Sequence, residues 1–191
     1  MEKIGLFGGS FDPVHLGHLL VAQAACEEFG IDRLIFIPAA RSPFKPDSAP
    51  ANERHREQML RLAMAGQPKF ALDLQELSRG GTSYTIDTVR SYRSRHPKAQ
   101  LFWLIGADHV ATLDKWREAS ELAQQLEFLI IPRPGEAEVS PPKPFVAHQL
   151  RGFPLGVSSS QIRDRVARGL PIDHLTLPAV AESIRNNRLY I

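Results

Sequence analysis

Gly8-Gly9-Ser10-Phe11-Asp12-Pro13-Val14-His15-Leu16-Gly17-His18 follows an apolar run at residues 4–7 and leads into a helix-like stretch at residues 19–29. The apolar run reads as a buried strand. A Gly-rich turn from strand to helix gathers backbone N–H groups and a helix N-terminus at one point, where anions bind. Asp12 followed by Pro13 predicts a cap and a first helical position. His15 and His18 are three apart and share a face of a helical turn. Gly17 between them removes a side chain where a nucleotide would press against the backbone. The competing account is a tight turn whose histidines only fill hydrogen-bonding roles. Two glycines, an Asp-Pro pair and two spaced histidines in this position favour a phosphate site with chemistry attached.

The flanking sequence fixes the fold class. Further strand-like runs are expected at residues 34–37, 70–74, 101–105 and 128–131. Helices are expected at 53–65, 84–95, 118–125, 158–168 and 178–186. Strands separated by helices predict βαβ units: a Rossmann-like, doubly wound α/β fold with a mainly parallel sheet and helices on both faces. The 191 residues suffice for a single domain, 1–191, with the C-terminal helices in 157–191. Residues 39–52 and the proline-rich 133–144 read as ordered loops or flaps, the second being the better candidate for mobility. In such a sheet, ligands lie beyond the carboxyl ends of the strands. The 8–18 turn, the 41–45 loop, Gly106-Ala107-Asp108-His109, Arg133 and the Ser158 segment would all be gathered there.

Composition narrows the function classes. A formal net charge of +2 is too slight for an extended nucleic-acid surface, but leaves room for a local phosphate pocket. The single Cys26 cannot form an intrachain disulfide and predicts an inert thiol in a reducing compartment. No signal peptide and no apolar run long enough for a bilayer is visible, which predicts a cytoplasmic protein without membrane partners.

A second phosphate element opens a late helix: Val157-Ser158-Ser159-Ser160-Gln161-Ile162-Arg163. Ser158 with Gln161 fits a capping box, which accounts for both without any ligand. It does not account for Arg163. A cation in the first turns of a helix faces the positive end of the dipole. A bound anion would reverse that sign, and Asp164 is an internal alternative.

With both elements in hand, the chain resembles the nucleotidyltransferase superfamily whose signatures are an H-x-G-H turn and a late I-S-S-T-x-I-R-type segment. These stand here as His15-Leu16-Gly17-His18 and Val157 to Arg163, with Ser160 where threonine is frequent. The middle of the chain resembles the bacterial nicotinate-nucleotide adenylyltransferases through Ser83-Tyr84-Thr85-Ile86-Asp87-Thr88, Leu104 to Asp108, Trp116 and Arg133-Pro134-Gly135. That resemblance implies transfer of the AMP part of ATP to nicotinate mononucleotide, with release of pyrophosphate. It implies that the Tyr84-Thr85 segment holds the nicotinate carboxylate, that Trp116 lies beside the pyridine ring and that Asp108 binds a ribose. A helix start suits a carboxylate and an indole suits a flat ring. Taken one at a time, Thr85 and Asp87 could simply start a helix, and Trp116 could be core. The chain departs from the family at Ala39, Ala40 and Phe44, where relatives often carry polar side chains. It also carries Arg117 where an aromatic residue often follows the tryptophan. The nearest alternatives are pantetheine-phosphate adenylyltransferase, a nicotinamide-mononucleotide acceptor, and a nucleotide sensor on the same fold.

The expected ATP contacts are Gly8, Gly9, Ser10, Phe11, His15, His18, Gly106, Ser158, Ser159, Ser160 and Arg163. The expected nicotinate-mononucleotide contacts are Lys45, Tyr84, Thr85, Asp108, Trp116 and Arg133. His15, His18, Arg163 and Lys45 are the expected catalytic set. Mg²⁺ is expected to arrive with ATP, held by phosphate oxygens and water, with no ligands from protein side chains.

Overall fold

The structure is a computed structural model and describes residues 1–43, 50–132, 134–135, 138–153 and 155–191. The chain runs β1 (Lys3–Gly9), α1 (Leu16–Glu28), β2 (Arg33–Pro38), α2 (Glu53–Met64), β3 (Phe70–Leu72), α3 (Gln75–Arg79) and α4 (Thr85–Arg95). It continues through β4 (Gln100–Gly106), α5 (Ala107–Val110), a 3₁₀ turn (Leu113–Lys115), α6 (Ala119–Gln125), β5 (Glu127–Ile131), β6 (Ala147–Gln149), α7 (Ser159–Ala167) and α8 (Pro178–Asn186). The six strands form one sheet in the order β3-β2-β1-β4-β5-β6, and every pairing is parallel. Among the described residues, no helix is long and apolar enough to cross a membrane.

Both faces of the sheet are buried, and the period-two alternation of the strands divides their side chains between two cores. Phe7, Leu34, Phe36, Phe102, Leu104 and Leu129 point to one side, where they meet residues of α1, α2, α7 and α8. Ile4, Leu6, Ile35, Ile37, Leu101, Trp103, Ile105, Phe128 and Ile130 point to the other, against residues of α4, α5 and α6. The helices supply matching stripes, such as Ile86, Val89 and Tyr92 on α4 and Val180, Ala181 and Ile184 on α8. The chain builds outward from β1 to β3, then returns to β4 beside β1 and builds outward again. The topological switch point therefore lies between β1 and β4, whose carboxyl ends lead into the His15–His18 turn and Gly106.

The doubly wound parallel sheet read from the sequence is the fold observed. Four short elements escaped that reading: α3, α5, the 3₁₀ turn and β6. Their sequences carry no apolar periodicity, and β6 forms through backbone pairing with β5, from Phe128↔Ala147 to Ile130↔Gln149. The third strand stops at Leu72 rather than residue 74, and Pro38 lies inside β2, opposite Gly9. Parts of both expected flaps, residues 44–49, 133 and 136–137, lie outside the described residues.

The paired glycines also read differently in three dimensions. Gly8 and Gly9 are the last two residues of β1, not part of a turn. A Cβ on Gly8 would stand 2.6 Å from Cζ2 of Trp103, and one on Gly9 would stand 3.1 Å from the Phe11 ring. Gly8 is thus required by the indole packed across it. Gly8→Ala is expected to destabilise the protein by about 1–3 kcal/mol through overpacking. In Gly8→Ala/Trp103→Phe, the offending indole atoms are absent and the double variant should lose less than the sum of the singles. Urea unfolding of the four proteins checks this; strict additivity would assign the glycine another role.

Candidate functional site

At the switch point lies a cavity of about 660 Å³, within the size range of nucleotide sites. Its walls include Ser10, Phe11, His15, Gly17, His18, Gly106, Ser158, Ser159, Ser160 and Arg163. The two signature segments, about 140 residues apart in sequence, thus meet around one space.

The first wall is the β1–α1 turn. Helix α1 starts at Leu16 with His15 as its N-cap, so the expectation of an Asp12 cap and a helical Pro13 is corrected. The reason is that the Asp12 carboxylate is engaged elsewhere: its Oδ1 accepts from the Ala51 amide at 3.1 Å and from the Tyr190 hydroxyl at 2.7 Å. His15 and His18 stack across the first turn with ring centroids 3.7 Å apart. The His15 amide donates to Nδ1 of His18 at 3.2 Å. With Nδ1 accepting, a neutral His18 carries its proton on Nε2. A Cβ on Gly17 would lie 3.1 Å from the His15 ring and 3.1 Å from Cγ1 of Val157. The glycine therefore makes room first for His15 itself. Phe11, at φ +47°, is a buried aromatic in the left-handed region, which is uncommon. That backbone sets its ring edge-on to His18 at 5.0 Å.

Burial sets the charge state of the pair. Desolvation lowers His15 to about 4. His18 is held well below its ordinary value, by burial first and by the adjacent His15 second. Both imidazoles are neutral at pH 7 in the free protein. The His15 side chain in turn faces the His18 backbone amide across a capping box, with its buried Nδ1 making no hydrogen bond of its own.

The second wall is the start of α7. Ser158 caps it as the sequence predicts: the Gln161 amide donates to Ser158 Oγ at 3.2 Å, and the Ser158 amide to Gln161 Oε1 at 2.8 Å. Ser159 ties the two walls together by donating to the Pro13 carbonyl at 2.9 Å. Arg163 does not pair with Asp164, which faces Arg168 instead. Arg163 Nη1 donates to the backbone carbonyl of Asp12 at 2.6 Å and lies 3.8 Å from the Asp12 carboxylate. The expectation that its charge waits for a bound anion is corrected to that extent: Asp12 already answers it.

The remaining candidates divide. Gly8 and Gly9 do not line the cavity. Gly106 does, and a Cβ there would stand 2.5 Å from Oδ1 of Asp108, whose carboxylate folds back over the end of β4. Tyr84, Thr85 and Trp116 form a separate group on the α4 side. Tyr84 is the N-cap of α4 and Thr85 its first residue. Trp116 packs edge-on to Phe128 with ring centroids 6.1 Å apart. Arg117 joins its loop to α4, with its guanidinium 4.7 Å over the Tyr84 ring and 3.8 Å from Asp87. Lys45, Phe44 and Arg133 lie outside the described residues.

Three residues that brace the site were missed. Arg56 is fully buried and donates to the carbonyls of Ser10, Ala39 and Ala51. A charge on the apolar face of α2, in step with Met59, Leu60 and Ala63, was the signal available. Thr176 donates to the Val14 carbonyl at 2.8 Å. Tyr190, on the Asp12 carboxylate, has no local sequence signal, because its partner is 178 residues away.

Comparison with known proteins agrees with this geometry. The cytidylyltransferase-like family model matches residues 6–165. A probable nicotinate-nucleotide adenylyltransferase from Opitutus terrae is 44% identical over 191 residues, covering 98% of this chain and 97% of the relative. The nicotinate-nucleotide adenylyltransferase of Bacillus subtilis is 40% identical over 190 residues, covering 100% of this chain and 99% of the relative. In fold, the chain is similar to Plasmodium falciparum nicotinic acid mononucleotide adenylyltransferase complexed with NaAD, with a TM-score of 0.79 at 21% identity over 100% of this chain and 98% of that one. The chain belongs to the cytidylyltransferase-like nucleotidyltransferases and, within them, to the nicotinate-nucleotide adenylyltransferase family.

Proposed function

We infer that the protein transfers the AMP part of ATP to nicotinate mononucleotide, giving nicotinate adenine dinucleotide and pyrophosphate in NAD biosynthesis. The observation that carries this reading is the meeting of His15, His18, Ser158 to Ser160 and Arg163 around one nucleotide-sized cavity, in a chain whose full length matches these enzymes. The phosphate oxygen of the mononucleotide attacks the α-phosphorus of ATP in line, a P–O bond forms, and the bond to pyrophosphate breaks. No covalent enzyme intermediate is needed. Catalysis is positioning and charge stabilisation.

The following roles are assigned on this arrangement. The neutral His18, protonated on Nε2, is a donor for charge that develops on the α-phosphoryl group. His15, its ring centroid 3.7 Å from that of His18, is assigned to the same charge. Arg163 and the first amides of α7 suit the β and γ phosphates. Tyr84, Thr85 and Trp116 are assigned to the acceptor, with Asp108 at a ribose between the two groups. Lys45 and Arg133 keep their assignment to the phosphates and acceptor from sequence alone. Mg²⁺ belongs to the MgATP substrate and is held by its phosphate oxygens and water. Cys26 is buried, and burial raises its thiol pKa, which suits a reducing cytosol as the setting.

Incubation with MgATP and nicotinate mononucleotide should yield pyrophosphate and the dinucleotide, identified by mass. Absence of both would overturn the assignment. The acid acceptor should be preferred over the amide by about tenfold or more in kcat/KM, since a site built for a carboxylate leaves groups unpaired with the amide. Equal values would remove the α4 start from acceptor recognition.

His18→Ala should lower kcat on the order of a hundredfold while changing MgATP affinity much less, because its donor acts on charge that grows in the transition state. A normal kcat would make His18 a structural residue.

The histidine pair also predicts acid sensitivity. In the unfolded chain His15 titrates near its ordinary 6.5, and in the folded protein near 4. The unfolded state therefore binds the proton first, so stability falls with pH between those values and is unaffected by His15 above them. The shift corresponds to about 3 kcal/mol lost across that window. Urea unfolding from pH 7.5 to pH 4 should show a flatter profile for His15→Gln than for the parent protein. Identical profiles would place the acid sensitivity elsewhere.

A further inference from the structure

Residues 188–190 connect to the cavity wall through the Asp12 carboxylate. Arg188 at φ +50° and Tyr190 at φ +65° are both in the left-handed region, and the Leu189 amide closes back on the Ile184 carbonyl at 3.0 Å. These bends fold the last residues against the core, where Tyr190 packs beside the first hydrophobic cluster. The hydroxyl of Tyr190 then lies 2.7 Å from Asp12 Oδ1. Asp12 is itself only 6% exposed. Its Oδ1 takes two donors, Tyr190 and the Ala51 amide, while its Oδ2 faces Arg163 at 3.8 Å and its backbone carbonyl holds Arg163 Nη1 at 2.6 Å.

We propose that Asp12, aimed by the Tyr190 hydroxyl, is a positioning residue that sets the Arg163 guanidinium at the phosphate end of the cavity, so that the last turn of the chain controls how tightly the triphosphate is held. The inference rests on the assignment of Arg163 to ATP. The chemistry is directional. Two donors on Oδ1 fix the carboxylate plane and leave Oδ2 toward Arg163. The guanidinium has five donors in a rigid fork, and anchoring one nitrogen on the Asp12 carbonyl orients the others. A Ser159 bond to Pro13 holds α7 at a fixed distance from the same turn, so the fork cannot follow if Asp12 rotates. Arg56, which holds the Ser10 and Ala51 carbonyls, also lies close enough to feel the Asp12 charge.

A merely structural link between terminus and turn would lower stability without distinguishing the two substrates. The test therefore measures MgATP dissociation constants by calorimetry, together with thermal midpoints and the KM of each substrate, for Tyr190→Phe, Asp12→Asn and each combined with Arg163→Ala. Tyr190→Phe keeps the packed ring and removes only the hydroxyl. It should weaken MgATP about three- to tenfold, in the range of coupled neighbours, with the acceptor KM within about twofold of the parent value. In the Arg163→Ala background the same change should have less than about a twofold effect, because the group being aimed is gone. Asp12→Asn should act in the same direction and more strongly. Unchanged MgATP affinity in Tyr190→Phe, or equal fold-changes with and without Arg163, would overturn the proposal. Calorimetry reads ATP binding without turnover, so failure of the parent protein to use nicotinate mononucleotide would strike the assigned reaction and leave this comparison decisive.

Discussion

The buried guanidinium of Arg56 is the interaction on which the site depends. Its side chain is completely enclosed, and burial pulls its pKa below the ordinary arginine value. A desolvated cation is tolerated only where hydrogen bonds and counter-charge offset the cost. Here the bonds come from three backbone carbonyls: Ser10 after β1, Ala39 after β2 and Ala51 before α2. Two follow the carboxyl ends of adjacent strands and the third precedes α2, so one side chain on α2 ties together the loops after β1 and β2. Because the Ala51 amide donates to Asp12, the same anchor reaches the counter-ion of Arg163.

The histidine pair shows a second consequence of building a site in a packed interior. Two charged rings with centroids 3.7 Å apart would repel, and burial already holds both neutral. The two imidazoles therefore carry no standing positive charge. The donors are neutral and oriented, and the formal cation, Arg163, sits at the exposed margin with its side chain 39% accessible. Arg163, held by the Asp12 carbonyl, is thus the more exposed donor and the imidazoles the more buried ones. On the proposed assignment, ground-state affinity falls to Arg163 and the imidazoles are left for charge that develops during transfer.

The sequence made the sheet legible because its strands are buried on both faces and read as near-continuous apolar runs. It made both phosphate segments legible because turn chemistry and capping are local: Ser158 and Gln161 form their box as read. What it could not supply was tertiary pairing. Asp12 looked like a cap for the next helix, since a local side chain is the only partner visible from sequence. In the fold it serves Ala51 and Tyr190, and His15 caps instead. Arg163 looked unanswered for the same reason, its partner being a backbone carbonyl 151 residues away. Gly8 and Gly9 looked like a phosphate turn, but Gly8 answers the Trp103 indole on the neighbouring strand, a constraint set by strand register.

The division of the site into two groups follows from the same topology. The phosphate walls rise from β1 and α7, on the side of the first core. The Tyr84, Thr85 and Trp116 group rises from α4 and the loop before α6, on the side of the second. Gly106, at the end of β4, lines the cavity, and α5, which follows it, packs in the second core. Arg117 bears on this division. The family resemblance leads one to expect an aromatic ring after the tryptophan, and the chain places a guanidinium there. A guanidinium is planar and stacks as a ring does. Lying 4.7 Å over Tyr84, it keeps the stacked contact between the 116–117 loop and the start of α4, while Asp87 answers its charge. The guanidinium thus keeps the tie between the two segments and changes only its chemistry.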